Sequence, residues 1–256
     1  MPGFKFAFPA GGIDYVDPAF SAAFEVEGEE IHGLAFATSQ ADMDRCNELE
    51  GGGRFYTAVM TTLHLYDGRK VQGQIYTRSI EKLENVGLPS KRYLNLIING
   101  AKEAGLDAEY VKKLEAQTYY TPTEETIAKR KNMPDPESLP KISYTELVDE
   151  VEEDGEVYVF IGILGYVLKL PKKDTFFPSH RGRDITARQL RHLRGVQADM
   201  GENDDKGRPP YPNEKTMDPE EYGYLWQWID YYTLAKLKED YTKVVGFIAE
   251  WDQKIE

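Results

Sequence analysis

From Phe4 to Glu81 apolar residues recur with the two-residue period of half-buried strands. "FKFAF" puts Phe4, Phe6 and Phe8 on one face, and "IHGLAFA" (31–37), "FYTAVMTTLHLY" (55–66) and "KVQGQIYTR" (70–78) are rich in β-branched and aromatic residues. "YDGRK" (66–70) predicts a hairpin turn, because Asp-Gly suits the positive φ angles of a tight connection. One segment breaks this period. In "SQADMDRCNELEG" (39–51), Met43, Cys46 and Leu49 fall at helical spacing, Ser39 can cap the start, and Gly51 marks the end.

Residues 90–118 predict two helices. The first, "SKRYLNLIINGAKEAG", carries Tyr93, Leu94, Ile97, Ile98 and Ala101 on one stripe and stops at Gly105; the second starts at an Asp107 cap. Four prolines (Pro122, Pro134, Pro136 and Pro140) among polar residues make 121–140 read as a linker. Beyond it the pattern predicts an acidic helix, "SYTELVDEVEEDG", then a strand, "EVYVFIGILGYVLKL", and an Arg-rich segment, "SHRGRDITARQLRHLRG". An acidic loop at 198–216 leads to a last helix at "DPEEYGYLWQWIDYY", where Asp218 caps and Pro219 fits the first position. On this last helix Tyr222, Leu225, Trp226, Ile229 and Thr233 share one face, and Trp228, Tyr231 and Tyr232 turn partly to the other. The expected class is α+β, in three parts: a β-rich domain over 1–120, a linker over 121–140 and a helix-rich extension over 141–256.

Composition narrows the function. Forty-four acidic against 31 basic residues give a formal charge of −13, a surface field that repels nucleic acid and anionic lipid. The first residues lack a secretory pattern, and no run of apolar residues approaches membrane-spanning length. Cys46 is the only cysteine, so an internal disulfide and any CxxC site are excluded and a reducing, cytosol-like compartment is the default. The four histidines show no HxxxH or HExxH spacing, so no metal site is expected.

Glu50 stands at the predicted helix end, directly before Gly51, Gly52 and Gly53. A helix C-terminus carries partial negative charge and disfavours an anion. Two readings stay open on the residues alone: a solvated glutamate beside a flexible cap, or a proton-handling carboxylate beside glycines that let a ligand approach.

The stretch from "IHGLAF" through "NELEG" and "RFYTAVMTTLHLYDGRKVQGQIYT" to "PSKRYLNLIINGAKEAGLDAEYVKKLEA" resembles the γ-glutamylcyclotransferase-like family over about 90 residues. Pro-Ser-x-x-Tyr leading into Gly-Ala-Lys-Glu-x-Gly-Leu is the most specific part. The resemblance implies a small mixed β-barrel with flanking helices, over roughly residues 20–118. It also implies Glu50 as the general base that lets a γ-glutamyl α-amine attack its own γ-carbonyl, releasing 5-oxoproline and an amine with no metal and no cofactor. Tyr56, Tyr76 and Tyr93 match pocket positions, and Gly51 and Gly52 border them. The family's Tyr-Gly-Ser-Asn substrate loop does not occur in this sequence. "FAFPAGG" (6–12) is its nearest substitute, which puts Gly11 and Gly12 forward as substrate contacts. The expected partner is a small γ-glutamyl substrate, with neither nucleic acid nor membrane. The C-terminal extension, packed on or completing the barrel, would supply any protein contact. The alternative is a non-catalytic binding or assembly subunit that keeps the barrel as a scaffold.

Overall fold

The structure, a computed structural model, describes residues 1–175, 177–194, 217–235 and 242–252. The 198–216 loop of the sequence reading lies outside the described residues. Two compact units divide the chain at Thr121/Pro122.

The first unit comprises β1 (Pro2–Ala7), β2 (Ala10–Ile13), β3 (Asp17–Ala19), β4 (Ala22–Glu30), α1 (Gln40–Leu49), β5 (Thr57–His64), β6 (Lys70–Thr77), α2 (Lys91–Glu103) and α3 (Ala108–Glu115). Strands β1-β4-β6-β5, in that order, form a curled half-barrel sheet, while β2 and β3 make a separate hairpin. The sheet is mixed: β1–β4 and β5–β6 are antiparallel, and β4 meets β6 in parallel at Ala23 and Thr77. The β5–β6 turn holds Asp67 and Gly68, with Gly68 at φ +87° as the Asp-Gly signal requires. Phe8, Ala19, Leu94, Ile98, Tyr110 and Leu114 are buried together where α2 and α3 cover β1 and β3. Each large apolar side chain buried there contributes about 1.5–3 kcal/mol.

A buried carboxylate ties this cover down. Asp17, 3% exposed, accepts from the Ser90 hydroxyl and from Arg92 Nη2 at 2.6 Å. Ser90 in turn caps α2, its oxygen accepting from the Tyr93 amide at 3.0 Å. The Pro-Ser-x-x-Tyr signature is thereby a helix start bolted to β3.

Residues 31–39 are not the strand their alternation predicts: they run irregularly, with Leu34 61% and Phe36 81% exposed. Both edges of β6 are already taken, by β4 and β5. His32 also draws the chain toward α3, stacking on Tyr110 at 4.5 Å and sharing a 2.6 Å hydrogen bond with the Tyr66 hydroxyl.

The second unit holds α4 (Glu124–Arg130), β7 (Lys141–Ile142), β8 (Val151–Glu153), β9 (Glu156–Ile163), β10 (Tyr166–Pro171), β11 (Arg183–Asp184), α5 (Thr186–Leu193), α6 (Pro219–Thr233) and β12 (Lys243–Ile248). Rather than being helix-rich, it is organised by a sheet of order β11-β9-β10-β12-β7, with β8 added beside β9. The expected acidic helix is instead a short 3-10 turn (Tyr144–Glu146) followed by β8. Asp154 and Gly155, both at positive φ, close a two-residue hairpin between β8 and β9. Leu164 and Gly165 do the same between β9 and β10, splitting the single strand of the sequence reading. The stretch read as a linker carries α4, whose Arg130 grips the carboxylate of Asp230, 1% exposed, with Nη2 at 2.5 Å. Along α6 the buried face is Leu225, Trp228, Ile229 and Tyr232, which cuts across the two faces drawn from spacing alone. Arg194 of the Arg-rich segment pairs with Glu221 at 2.6 Å, while Glu150, Glu153 and Glu156 are taken by Lys172, Lys169 and Lys173.

His180 lies buried between Tyr232, whose hydroxyl is 2.6 Å from its Nδ1, and Gln189. Burial, and after it the Arg188 cation, lowers its pKa from 6.5 to about 3. Below about pH 6.5 the unfolded chain binds a proton that the folded unit refuses. Stability is therefore lost as pH falls through that window, at up to about 1.4 kcal/mol per pH unit.

Two outcomes are expected. Asp17→Asn leaves Arg92 buried without its counter-charge and costs about 3–5 kcal/mol, measured as a fall in the urea midpoint; an unchanged midpoint would refute the anchor. Denaturation of wild type and His180→Gln from pH 7 to 4 should give the wild type a steeper acid loss, and equal slopes would contradict the burial argument.

Candidate active site

The reason Glu50 sits where it does is local. Ser39 starts α1 by accepting from the Asp42 amide at 3.2 Å. The helix ends in two bonds, Gly52 N–H to Asn47 C=O at 2.8 Å and Gly51 N–H to Glu48 C=O at 3.0 Å, the pairing of a Schellman stop. Glu50 is the C-cap, and Gly51, at φ +89°, takes the left-handed position that follows. A Cβ at Gly51 would run into the Phe55 ring. The glycines at 51 and 52 are thus accounted for by the stop itself.

Although α1 buries no residue fully, Met43, Asn47 and Glu50 are its half-buried side chains, spaced four and three apart on one stripe. That stripe meets β6. Asn47 Oδ1 accepts from the Tyr76 hydroxyl at 2.8 Å and from Gln74 Nε2 at 3.0 Å.

The sheet brings the tyrosines to the same place. Thr57 pairs with Thr77 and Ala58 with Tyr76, so Tyr56 stands across from Arg78, and strand alternation sends Tyr76 and Arg78 to one face. The Arg78 guanidinium carbon lies 5.7 Å from the centre of the Tyr56 ring. The Tyr56 hydroxyl donates to the Ser21 carbonyl at 3.2 Å. The Tyr93 hydroxyl, delivered by the capped start of α2, accepts from the Ser21 amide and lies 2.8 Å from Ser21 Oγ. Ser21 thereby joins Tyr56 to Tyr93, and Asn47 joins Tyr76 to α1 one helical turn before Glu50.

The Glu50 charge reaches two of these tyrosines. Burial raises the Tyr56 pKa above its usual 10; Arg78 opposes the rise, and Tyr93 and Glu50 add to it. Burial also raises that of Tyr76, with Cys46 and Glu50 adding to it and Gln74 opposing. Cys46 is exposed on the helix. Gly11 and Gly12 belong to the β2–β3 hairpin, where a Cβ on Gly12 would strike the Asp17 carbonyl, so tight packing requires that glycine.

Three residues escaped the sequence reading. Ser21 carries no local signal, because its partners Tyr93 and Tyr56 are 72 and 35 positions away. Asn47 and Arg78 could have been found: one is a helical turn before Glu50, the other two strand positions after Tyr76.

Residues 30–114 match the AIG2-like family, a span that covers α1, β5, β6 and α2. Over 130 residues the chain is 28% identical to the γ-glutamyl cyclotransferase gliK of Claviceps purpurea, covering 48% of this chain and 59% of that protein. Over 92 residues it is 30% identical to the γ-glutamylcyclotransferase of Bos taurus, covering 36% and 47% respectively. The chain thus spans about half the length of these curated relatives. A solved γ-glutamyl cyclotransferase superposes at TM-score 0.42 with 24% identity, over 52% of this chain and 81% of that one. An uncharacterized protein from Homo sapiens does so at 0.42 with 25% identity, over 51% and 80%.

The grouping predicts phenol titrations. Glu50→Gln removes a negative charge that raises both pKa values, so Tyr56 and Tyr76 should each titrate lower; Arg78→Met should move Tyr56 higher. Cζ-labelled tyrosine NMR against pH reads both, and unshifted phenols in Glu50→Gln would take the carboxylate out of the group.

Proposed function

We propose that the first unit cyclises a γ-glutamyl amino acid or amine to 5-oxoproline with release of the amine, Glu50 acting as general base. The observation that carries this reading is the half-buried Glu50, its charge felt by both Tyr56 and Tyr76. The curated relatives named γ-glutamyl cyclotransferase support the reaction class.

The step needs few parts. The substrate's α-ammonium gives a proton to the Glu50 carboxylate, and the freed nitrogen attacks the γ-carbonyl carbon, forming the lactam C–N bond. As the tetrahedral centre collapses, the bond to the leaving nitrogen breaks and the proton held by Glu50 passes to that nitrogen; the ring nitrogen then gives up its second proton by way of the same carboxylate, so the lactam N–H is neutral and the amine departs as an ammonium. No water, oxidant or external nucleophile is consumed. Nucleophile and electrophile share one molecule, so holding the substrate folded supplies much of the acceleration. A base within hydrogen-bond reach adds on the order of 10² to 10⁴. The Tyr93 hydroxyl, beside Ser21 Oγ, is a group available to donate to the substrate.

A second reading, a binding or assembly subunit that uses the unit as a scaffold, draws on the apolar side chains left exposed around α1, among them Phe36, Leu49 and Phe55. One assay separates the two. Incubation with γ-glutamyl dipeptides and γ-glutamyl amines should yield 5-oxoproline, with kcat reduced at least about 100-fold in Glu50→Gln while Tm is retained. No 5-oxoproline from the wild-type protein, or equal turnover in the variant, would leave only the scaffold.

A further inference from the structure

Two charges beside Tyr56 are unspent. Glu50 and Arg78 are both half-buried, and among the described residues neither side chain makes a hydrogen bond or an ion pair. Half-buried charges are normally paired, because partial desolvation is offset only by a partner. Arg78 is also not free to wander: its amide donates to the Ala23 carbonyl at 3.0 Å, and its guanidinium is held over the Tyr56 ring at 5.7 Å. A guanidinium held over the Tyr56 ring and a carboxylate at the nearby end of α1, whose charge reaches the same phenol, thus form no ion pair with each other.

A ligand that completes both must carry an anion and a cation a short distance apart. An α-amino acid head meets this need, with its carboxylate and ammonium on one carbon. A planar guanidinium suits the carboxylate, since it can donate two parallel hydrogen bonds where an ammonium group cannot. Glu50 matches the ammonium.

We propose that Arg78 is the residue that binds the substrate's free α-carboxylate and so turns its α-nitrogen toward Glu50. This rests on the γ-glutamyl reading for the identity of the substrate, but the recognition itself needs only an unblocked α-amino acid. The site selects for a free carboxylate at that carbon: an α-carboxamide of the same molecule leaves the guanidinium unmatched. Arg78 is a substrate-binding residue and takes no part in proton transfer.

The test measures binding and turnover in parallel on the full chain. L-glutamic acid γ-methylamide and its α-carboxamide analogue are titrated by NMR into wild type, Arg78→Lys and Arg78→Met, and each variant's Tm is recorded to confirm folding. The wild type should bind the carboxylate form at least about 10-fold more tightly than the carboxamide. Arg78→Met should lose that preference by weakening the carboxylate form alone, and Arg78→Lys should retain part of it. For turnover, Arg78→Met should raise KM by a similar factor with a smaller change in kcat. Equal preference in wild type and Arg78→Met, or no binding of either ligand by the wild type, overturns the proposal. Arg78-dependent binding without any 5-oxoproline would retire the cyclisation and leave the amino acid site standing.

Discussion

The buried Asp17 carboxylate is the constraint on which the first unit turns. It lies on a short strand, and the groups it holds, Ser90 and Arg92, belong to the start of α2 more than seventy residues later. Such a carboxylate is costly to bury unless every partner is in place, so the helix start has one position in which the cost is met. That position sets everything that follows along α2. Ser90 caps the helix, Tyr93 becomes its third residue and delivers its hydroxyl to Ser21, and Leu94 and Ile98 reach the shared core. Fold and site are coupled here: the interaction that docks the helix also aims a tyrosine.

The opposite wall is built by weaker means. α1 has no fully buried side chain, and its attachment to β6 runs through Asn47, whose one oxygen serves both Tyr76 and Gln74. A helix held by two hydrogen bonds is a low-stability element by comparison with α2, and elements that carry chemistry are often drawn from that end of the scale. The Schellman stop compensates locally. It fixes where the helix ends to a single residue, and that residue is Glu50.

Where local chemistry decides the structure, the sequence was readable. Ser39, Gly51, Ser90, Gly105 and Asp107 start or stop helices at their expected positions, and Asp67-Gly68 turns its hairpin. Tyr56 and Tyr93 meet at Ser21, and Tyr76 meets α1 at Asn47, a helical turn before Glu50. What was missed depended on competition between distant parts. The alternation in 31–37 fits a strand, yet β6 had both edges occupied and His32 was claimed by Tyr110 and Tyr66. The acidic stretch before Glu156 fits a helix by composition, but Asp154-Gly155 is a hairpin signal that charge concealed. The crowding that Gly12 relieves is that of its own hairpin, which no local pattern announces.

The two unspent charges follow from the same division of labour. Arg78 lies one residue past the end of β6, and Glu50 one residue past the end of α1, each still tied by its own amide, Arg78 to the Ala23 carbonyl and Glu50 to the Cys46 carbonyl. Residues just beyond an element keep its direction while their side chains escape its packing. A helix end and a strand end that converge on one tyrosine can therefore bring opposite charges near each other without burying them against each other. An enzyme that must hold a zwitterion needs this geometry, because a direct Glu–Arg contact would satisfy both groups and leave nothing for the ligand to complete. By the same argument Tyr56 has to stay protonated, which burial favours most and the nearby carboxylate in addition, since a phenolate there would compete with the substrate for the guanidinium.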